Sequence, residues 1–148
     1  MKRTVLVAVI GASFLTGAAV SAQVVERVWD NGSVWTIGLV DVKPGQANAY
    51  MKYLRDTAVP RVEYLRRKGD LLSYKVLAVQ NARKDEPDIL IMQEFKNMGF
   101  FDRGPAYLEE LSRQTAGSLE AREGQLAQGR QLADPMGSMM AREIRFTR

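Results

Sequence analysis

The chain has 148 residues, 46% of them hydrophobic and 26% charged, with a formal net charge of +4, no cysteine and no histidine. Disulfides, a lipid-bearing cysteine, Ser-His and Cys-His nucleophile pairs and the usual zinc and haem ligands are therefore excluded. The length is that of one ordinary domain with enough chain to bury a core.

Residues 1–22 carry the three parts of a secretory signal: Lys2 and Arg3, an apolar run from Thr4 to Val20, and the small-residue cleavage site Val20-Ser21-Ala22. The run falls short of the ~20 apolar residues of a spanning helix and contains Gly11, Ser13, Thr16 and Gly17, so no stable membrane anchor is expected. Cleavage near Ala22 would export a mature chain starting at Gln23 to the periplasm or the exterior. Losing Lys2 and Arg3 lowers the basic count from 21 to 19 against 17 acidic residues. The basic cluster Arg61, Arg66, Arg67, Lys68 is followed by Asp70, Asp85, Glu86 and Asp88, a mixture that reads as a solvated face and not as a nucleic-acid footprint.

Residues 23–33 read as an N-terminal arm. Asp30-Asn31-Gly32-Ser33 separates two extended runs, and Asn-Gly is a strong hairpin signal, so a short strand is expected to fold back on the main one. The single domain then spans residues 34–148. Its first strand, Val34 to Val42, is stopped by Lys43-Pro44-Gly45, because proline offers no ladder donor and glycine accepts backbone angles closed to other residues. Ala47, Tyr50, Met51, Leu54, Ala58, Val62 and Leu65 step by three and four along one helical stripe. Pro60 interrupts it, predicting a kink or break near Ala58, and Gly69 is placed to cap the helix after Lys68.

Leu71 to Val79 reads as the second strand, with Leu71, Ser73, Lys75, Leu77 and Val79 sharing one face, and Ile89 to Phe95 as the third. The short polar link between them makes the two antiparallel neighbours. Asn97 to Asp102 looks like a helix start or a tight turn. From Pro105 a helical pattern runs through Leu108, Leu111, Thr115, Leu119 and Leu126, weakened by Gly117, Gly124 and Gly129 and broken at Asp134-Pro135-Met136-Gly137. Met139 to Thr147 closes the chain as an edge strand. The order strand, helix, strand, strand, helix, strand is the split-βαβ pattern (βαββαβ) of a ferredoxin-like α+β sandwich. With both helices on one face of the antiparallel sheet, the other face needs a cover, so a homodimer joined sheet to sheet is expected.

Val40-Asp41-Val42-Lys43-Pro44-Gly45 with Tyr50, Gly69 to Tyr74, and Glu94-Phe95-Lys96-Asn97-Met98 together resemble the dimeric α/β-barrel superfamily, which includes antibiotic-biosynthesis-type monooxygenases and haem-degrading enzymes. More narrowly, the chain is similar to uncharacterised secreted members of that group. The resemblance implies a dimeric α/β barrel over roughly Val34 to Phe146 and leaves activity open. Haem-degrading relatives use a ligand histidine, so that branch does not carry over. Cofactor-free oxygenases of the superfamily surround a phenolic substrate with Trp, Tyr, Asn and Arg, residue types present here without a recognisable spacing.

The side chains left for chemistry include Trp35, Tyr50, Tyr53, Tyr64, Tyr74, Gln93, Glu94 and Arg142. Tyr50 belongs to the core stripe. The candidate ligand-binding residues are Trp35, Tyr53, Tyr74 and Glu94: Tyr53 lies about 100° from the stripe and can tip into a cleft, Trp35 and Tyr74 offer large flat surfaces, and Glu94 is a carboxylate among apolar residues. Plain core packing or an Arg-paired carboxylate stands beside each assignment. Seven methionines read as core or interface filler, and no metal or cofactor is expected. Three functional readings remain: a homodimer binding a small apolar or aromatic molecule between sheet and helices; a cofactor-independent monooxygenase or isomerase-like enzyme using Tyr74, Trp35 and Glu94 in one pocket; and a non-catalytic interaction subunit.

Overall fold

The computed structural model describes residues 27–147, so the signal segment 1–22 and the first residues of the expected arm lie outside the described residues. Four strands form one antiparallel sheet: β1 (Trp29–Val42), β2 (Ser73–Ala78), β3 (Ile89–Phe95) and β4 (Ala133–Phe146), in the spatial order β2-β3-β1-β4. Between β1 and β2 run α1 (Ala47–Tyr53), a π-helical turn (Leu54–Ala58) and α2 (Val59–Arg67). Between β3 and β4 run a short 3-10 turn (Met98–Phe100), α3 (Pro105–Ala116) and α4 (Leu119–Leu132). The chain order and the central placement of β1 and β3 make the split-βαβ architecture expected from the sequence.

Local chemistry explains the boundaries. Gly45, with φ +77°, makes the turn out of β1, and Gly69, with φ +76°, ends α2. The helix is interrupted near Ala58 as Pro60 predicts: α1 gives way to the π-helical turn, and α2 starts at Val59 with Pro60 in its first turn. The Val59 N–H donates to the Leu54 carbonyl, five residues back, so one wide turn sits where Pro60 lacks a donor. The Thr57 hydroxyl donates to the Tyr53 carbonyl at 2.7 Å within that turn. The second helical pattern is two helices: Gly117, at φ +90°, terminates α3, and the Ser118 hydroxyl accepts from the Ala121 N–H to cap α4.

Three further expectations are corrected. The N-terminal hairpin does not form, because β1 runs straight through Asn31-Gly32 and pairs with β4 from Trp29↔Phe146 to Val42↔Ala133. Gly32 serves a register irregularity instead, where a Cβ would sit 2.3 Å from Glu143 Oε2, and Ser33 donates its N–H to that same oxygen at 3.2 Å. Leu71 does not share a sheet face with Leu77; it precedes β2 and is 2% exposed in the core. Asp134 to Gly137 are part of β4, where Pro135 is tolerated because β4 is an edge strand.

Successive strand residues face opposite sides, so register assigns the faces. Val34, Val40, Ile89 and Phe95 point to the helices and are buried, Val40 and Ile89 in one cluster and Phe95 in another. Val40 and Ile89 pack with Tyr50, Leu54 and Ala133. Phe95 packs with Val62, Leu65, Leu71 and Leu111, its ring 4.4 Å from Phe100 and 4.9 Å from Phe101. The opposite face carries three cross-strand rows: Ser73, Glu94, Trp35, Ala141; Lys75, Met92, Ile37, Met139; and Leu77, Leu90, Leu39, Gly137. Neither core cluster takes a residue from these rows.

Candidate functional site

The helical stripe of α1 places Tyr50 and Tyr53 one turn apart, their rings stacked with centroids 5.8 Å apart. Tyr50 is buried against Val40 and Ala133, and burial first, then the neighbouring Tyr53, pushes its hydroxyl up to about 12. Tyr53 can lie flat on α4 because residue 129 is glycine: a Cβ there would be 2.7 Å from the Tyr53 ring and hydroxyl. The result is a cleft of about 210 Å³ between α1, α4 and the start of β4, walled by Val40, Tyr50, Tyr53, Leu126, Ala133 and Pro135. Arg130 stands at its edge. The Lys43 ammonium donates to the Arg130 carbonyl at 2.8 Å, tying the end of β1 to α4. Chemically the cleft offers apolar surface, phenol hydroxyls and one guanidinium, which suits binding and positioning.

A second, much smaller cavity of about 30 Å³ lies beneath the π-helical turn, among Leu54, Val62, Tyr74, Val76, Ile91 and Gln93. Burial is the main cause that raises the Tyr74 hydroxyl above its ordinary range, followed by its hydrogen bond to Glu63. Its volume is that of about one water molecule.

Of the four candidate residues, Tyr53 lines the cleft and Tyr74 lines the small cavity, both on the helix side. Trp35 and Glu94 are brought together, but on the opposite face, as direct cross-strand partners. The Lys75 ammonium sits 5.8 Å from the Trp35 ring centroid. Both Glu94 oxygens accept hydrogen bonds, from Ser33 Oγ at 2.7 Å and from Ser73 Oγ at 2.6 Å. A sheet thus separates Tyr74 from Trp35 and Glu94, and the pocket holding all three that the enzyme reading requires is not formed within one chain. Arg142 pairs in register with Val34, away from both cavities. The residues that sequence reasoning missed are Gly129, Leu126 and Arg130. The readable signal was Gly129, a glycine inside a helical pattern that usually has a packing reason.

No family profile matches the chain, and no curated protein matches its sequence. Solved structures do. A nipsnap family protein with unknown function from Agrobacterium tumefaciens shares 16% identity over 78% of this chain and 92% of its own, with a TM-score of 0.52. A protein from Shewanella oneidensis shares 14% identity over 79% of this chain and 98% of its own, at 0.51. A dimeric ferredoxin-like protein from an uncultured marine organism shares 16% identity over 80% of this chain and 99% of its own, at 0.50. At such identities the similarity is one of fold, and the fold of this chain is ferredoxin-like, as its order of strands and helices implied. Among the described residues no helix is long and apolar enough to cross a membrane.

Proposed function

We propose that this chain is an exported, homodimeric ferredoxin-like protein that binds a small apolar or aromatic molecule in the cleft between α1, α4 and the sheet. The observation that carries the reading is the tyrosine-walled cleft itself, in which the Tyr53 ring is seated against Gly129. Its volume favours a single substituted ring over a large ligand. The homodimer rests on the apolar rows of the uncovered sheet face, where Leu77 is 42% and Met139 50% exposed, and on the dimeric state stated for the marine relative in fold. Export rests on the N-terminal pattern of residues 1–22.

Native mass spectrometry of the protein secreted by its own signal tests all three parts. The expected species is a dimer of chains starting at Gln23, carrying or accepting one small aromatic molecule per chain from a series of phenol, p-cresol and 4-hydroxybenzoate. Replacing Tyr53 by Ala should weaken that uptake. A monodisperse monomer at micromolar concentration would remove the dimer, and an uptake that Tyr53→Ala leaves unchanged would remove the cleft. Oxygen consumption on the same phenols, if found, would shift the reading to catalysis.

A further inference from the structure

Of the residues that wall the tyrosine-lined cleft, Arg130 alone carries a charge. No carboxylate stands in that wall, and the Tyr50 hydroxyl, pushed up to about 12 chiefly by burial, stays neutral. A guanidinium keeps its charge under all ordinary conditions. Two structural duties could absorb it, and neither does. The first is an ion pair. Asp134 is matched by the Lys43 ammonium at 3.5 Å, and among the described residues Arg130 takes part in no ion pair. The second is the negative end of α4, which a basic side chain in the last turn can neutralise. There the Gly129 carbonyl accepts from the Ala133 N–H, the Arg130 carbonyl from the Lys43 ammonium at 2.8 Å, and the Leu132 carbonyl from the Lys43 N–H at 3.1 Å. Those carbonyls are bonded without the Arg130 side chain.

The cleft supplies the other half of a recognition pattern. The stacked rings of Tyr50 and Tyr53 give a flat apolar wall, and the Tyr53 ring and hydroxyl lie against Gly129, the residue beside Arg130. An apolar cleft with one exposed guanidinium in its wall suits a ligand that buries a ring and leaves an acid group at the opening. We propose that the cleft takes an aromatic carboxylate, its ring against Tyr53 and its carboxylate paired with Arg130. This rests on the cleft being the binding site, and it adds the charge of the ligand and the residue that reads it.

Isothermal titration of the secreted protein at low ionic strength, with 4-methylbenzoate and its neutral isostere 4-methylbenzamide, tests the assignment. The acid should bind about ten-fold more tightly than the amide, the value of one charge-assisted hydrogen bond, and salt should shrink that advantage because Arg130 is exposed. Arg130→Gln should bring the acid to the Kd of the amide and leave the amide unchanged, while Arg130→Lys should restore part of the difference. Tyr53→Ala should weaken both compounds alike. Equal binding of acid and amide by the wild type, or an Arg130→Gln variant that loses both equally, would overturn the pairing and leave the cleft standing. Binding of neither compound by the wild type would overturn the pairing and the cleft together.

Discussion

The two faces of the sheet are made from the same four strands and meet different fates. On the helix side, Val34, Val40, Ile89 and Phe95 are each at most 8% exposed, and Val40, Ile89 and Phe95 pack with residues of α1, α2 and α3. On the other side, Trp35, Ile37, Leu39, Leu90 and Met92 are only half buried, and Leu77 and Met139 more open still. Nearly every strand position in the middle of the sheet is apolar, so one layer of helices can satisfy only half of them. The difference teaches that the buried core belongs to one face, whereas the helices leave the other half open.

Substitutions can break or sharpen that contrast. The largest expected effect is Phe95→Ala, which empties the centre of an aromatic cluster and should cost about 3–5 kcal/mol by chemical unfolding. Next is Gly129→Ala, where the new methyl meets the Tyr53 ring: overpacking of about 1–3 kcal/mol should outweigh the gain in helix propensity and narrow the cleft. Gly124→Ala, in the same helix with nothing within 4 Å, should instead stabilise by up to about 1 kcal/mol. If both glycines behave alike, the Tyr53 seat is not a packing constraint.

Asp70 supplies a pH test on the helix side. The Arg103 hydrogen bond is the main cause that holds its carboxyl below the usual range, with Tyr107 adding to it. Because the folded value is depressed, the stabilisation is full above the unfolded value of ~3.9 and is lost as pH falls through the folded value. Asp70→Asn should lower stability at neutral pH by about 1–2 kcal/mol, a figure kept small because Arg103 is 34% exposed, and should flatten the acid limb of the unfolding curve. The smallest expected effect lies on the open face. Met139→Lys, measured at nanomolar protein where association is absent, should change folding stability by less than about 0.5 kcal/mol. A loss of several kcal/mol there would mean that the outer face contributes to the monomer's own core.

Much of this fold was legible because its signals are local. Lys43-Pro44-Gly45, the stripe from Ala47 to Leu65 and the alternation in Ile89 to Phe95 each name their own structure. The errors arose where distant residues decide. Asn31-Gly32 reads as a turn until β4 arrives with Glu143 to pair it into a continuous strand. Pro135 reads as a break unless the strand is known to be an edge. The site was less legible still. Tyr53 could be picked from its angle on the helix, but its seat on Gly129 joins positions 76 residues apart. Trp35 and Glu94 were grouped with Tyr74 by chemistry, and only the pairing register puts them on the other side.

One joint has a bearing on how this chain can change in length. Helix α4 ends at Leu132 and β4 begins at Ala133 with no residue between them. The Ala133 N–H still bonds to the Gly129 carbonyl, and the Leu132 carbonyl accepts from the Lys43 N–H at 3.1 Å. No slack exists there to absorb an insertion. One added residue would turn the end of α4 by about 100° or slide β4 by one position and send each of its side chains to the wrong face. Length variation should therefore be accepted in the polar stretch between β2 and β3, from Val79 to Asp88, and refused at the α4–β4 seam.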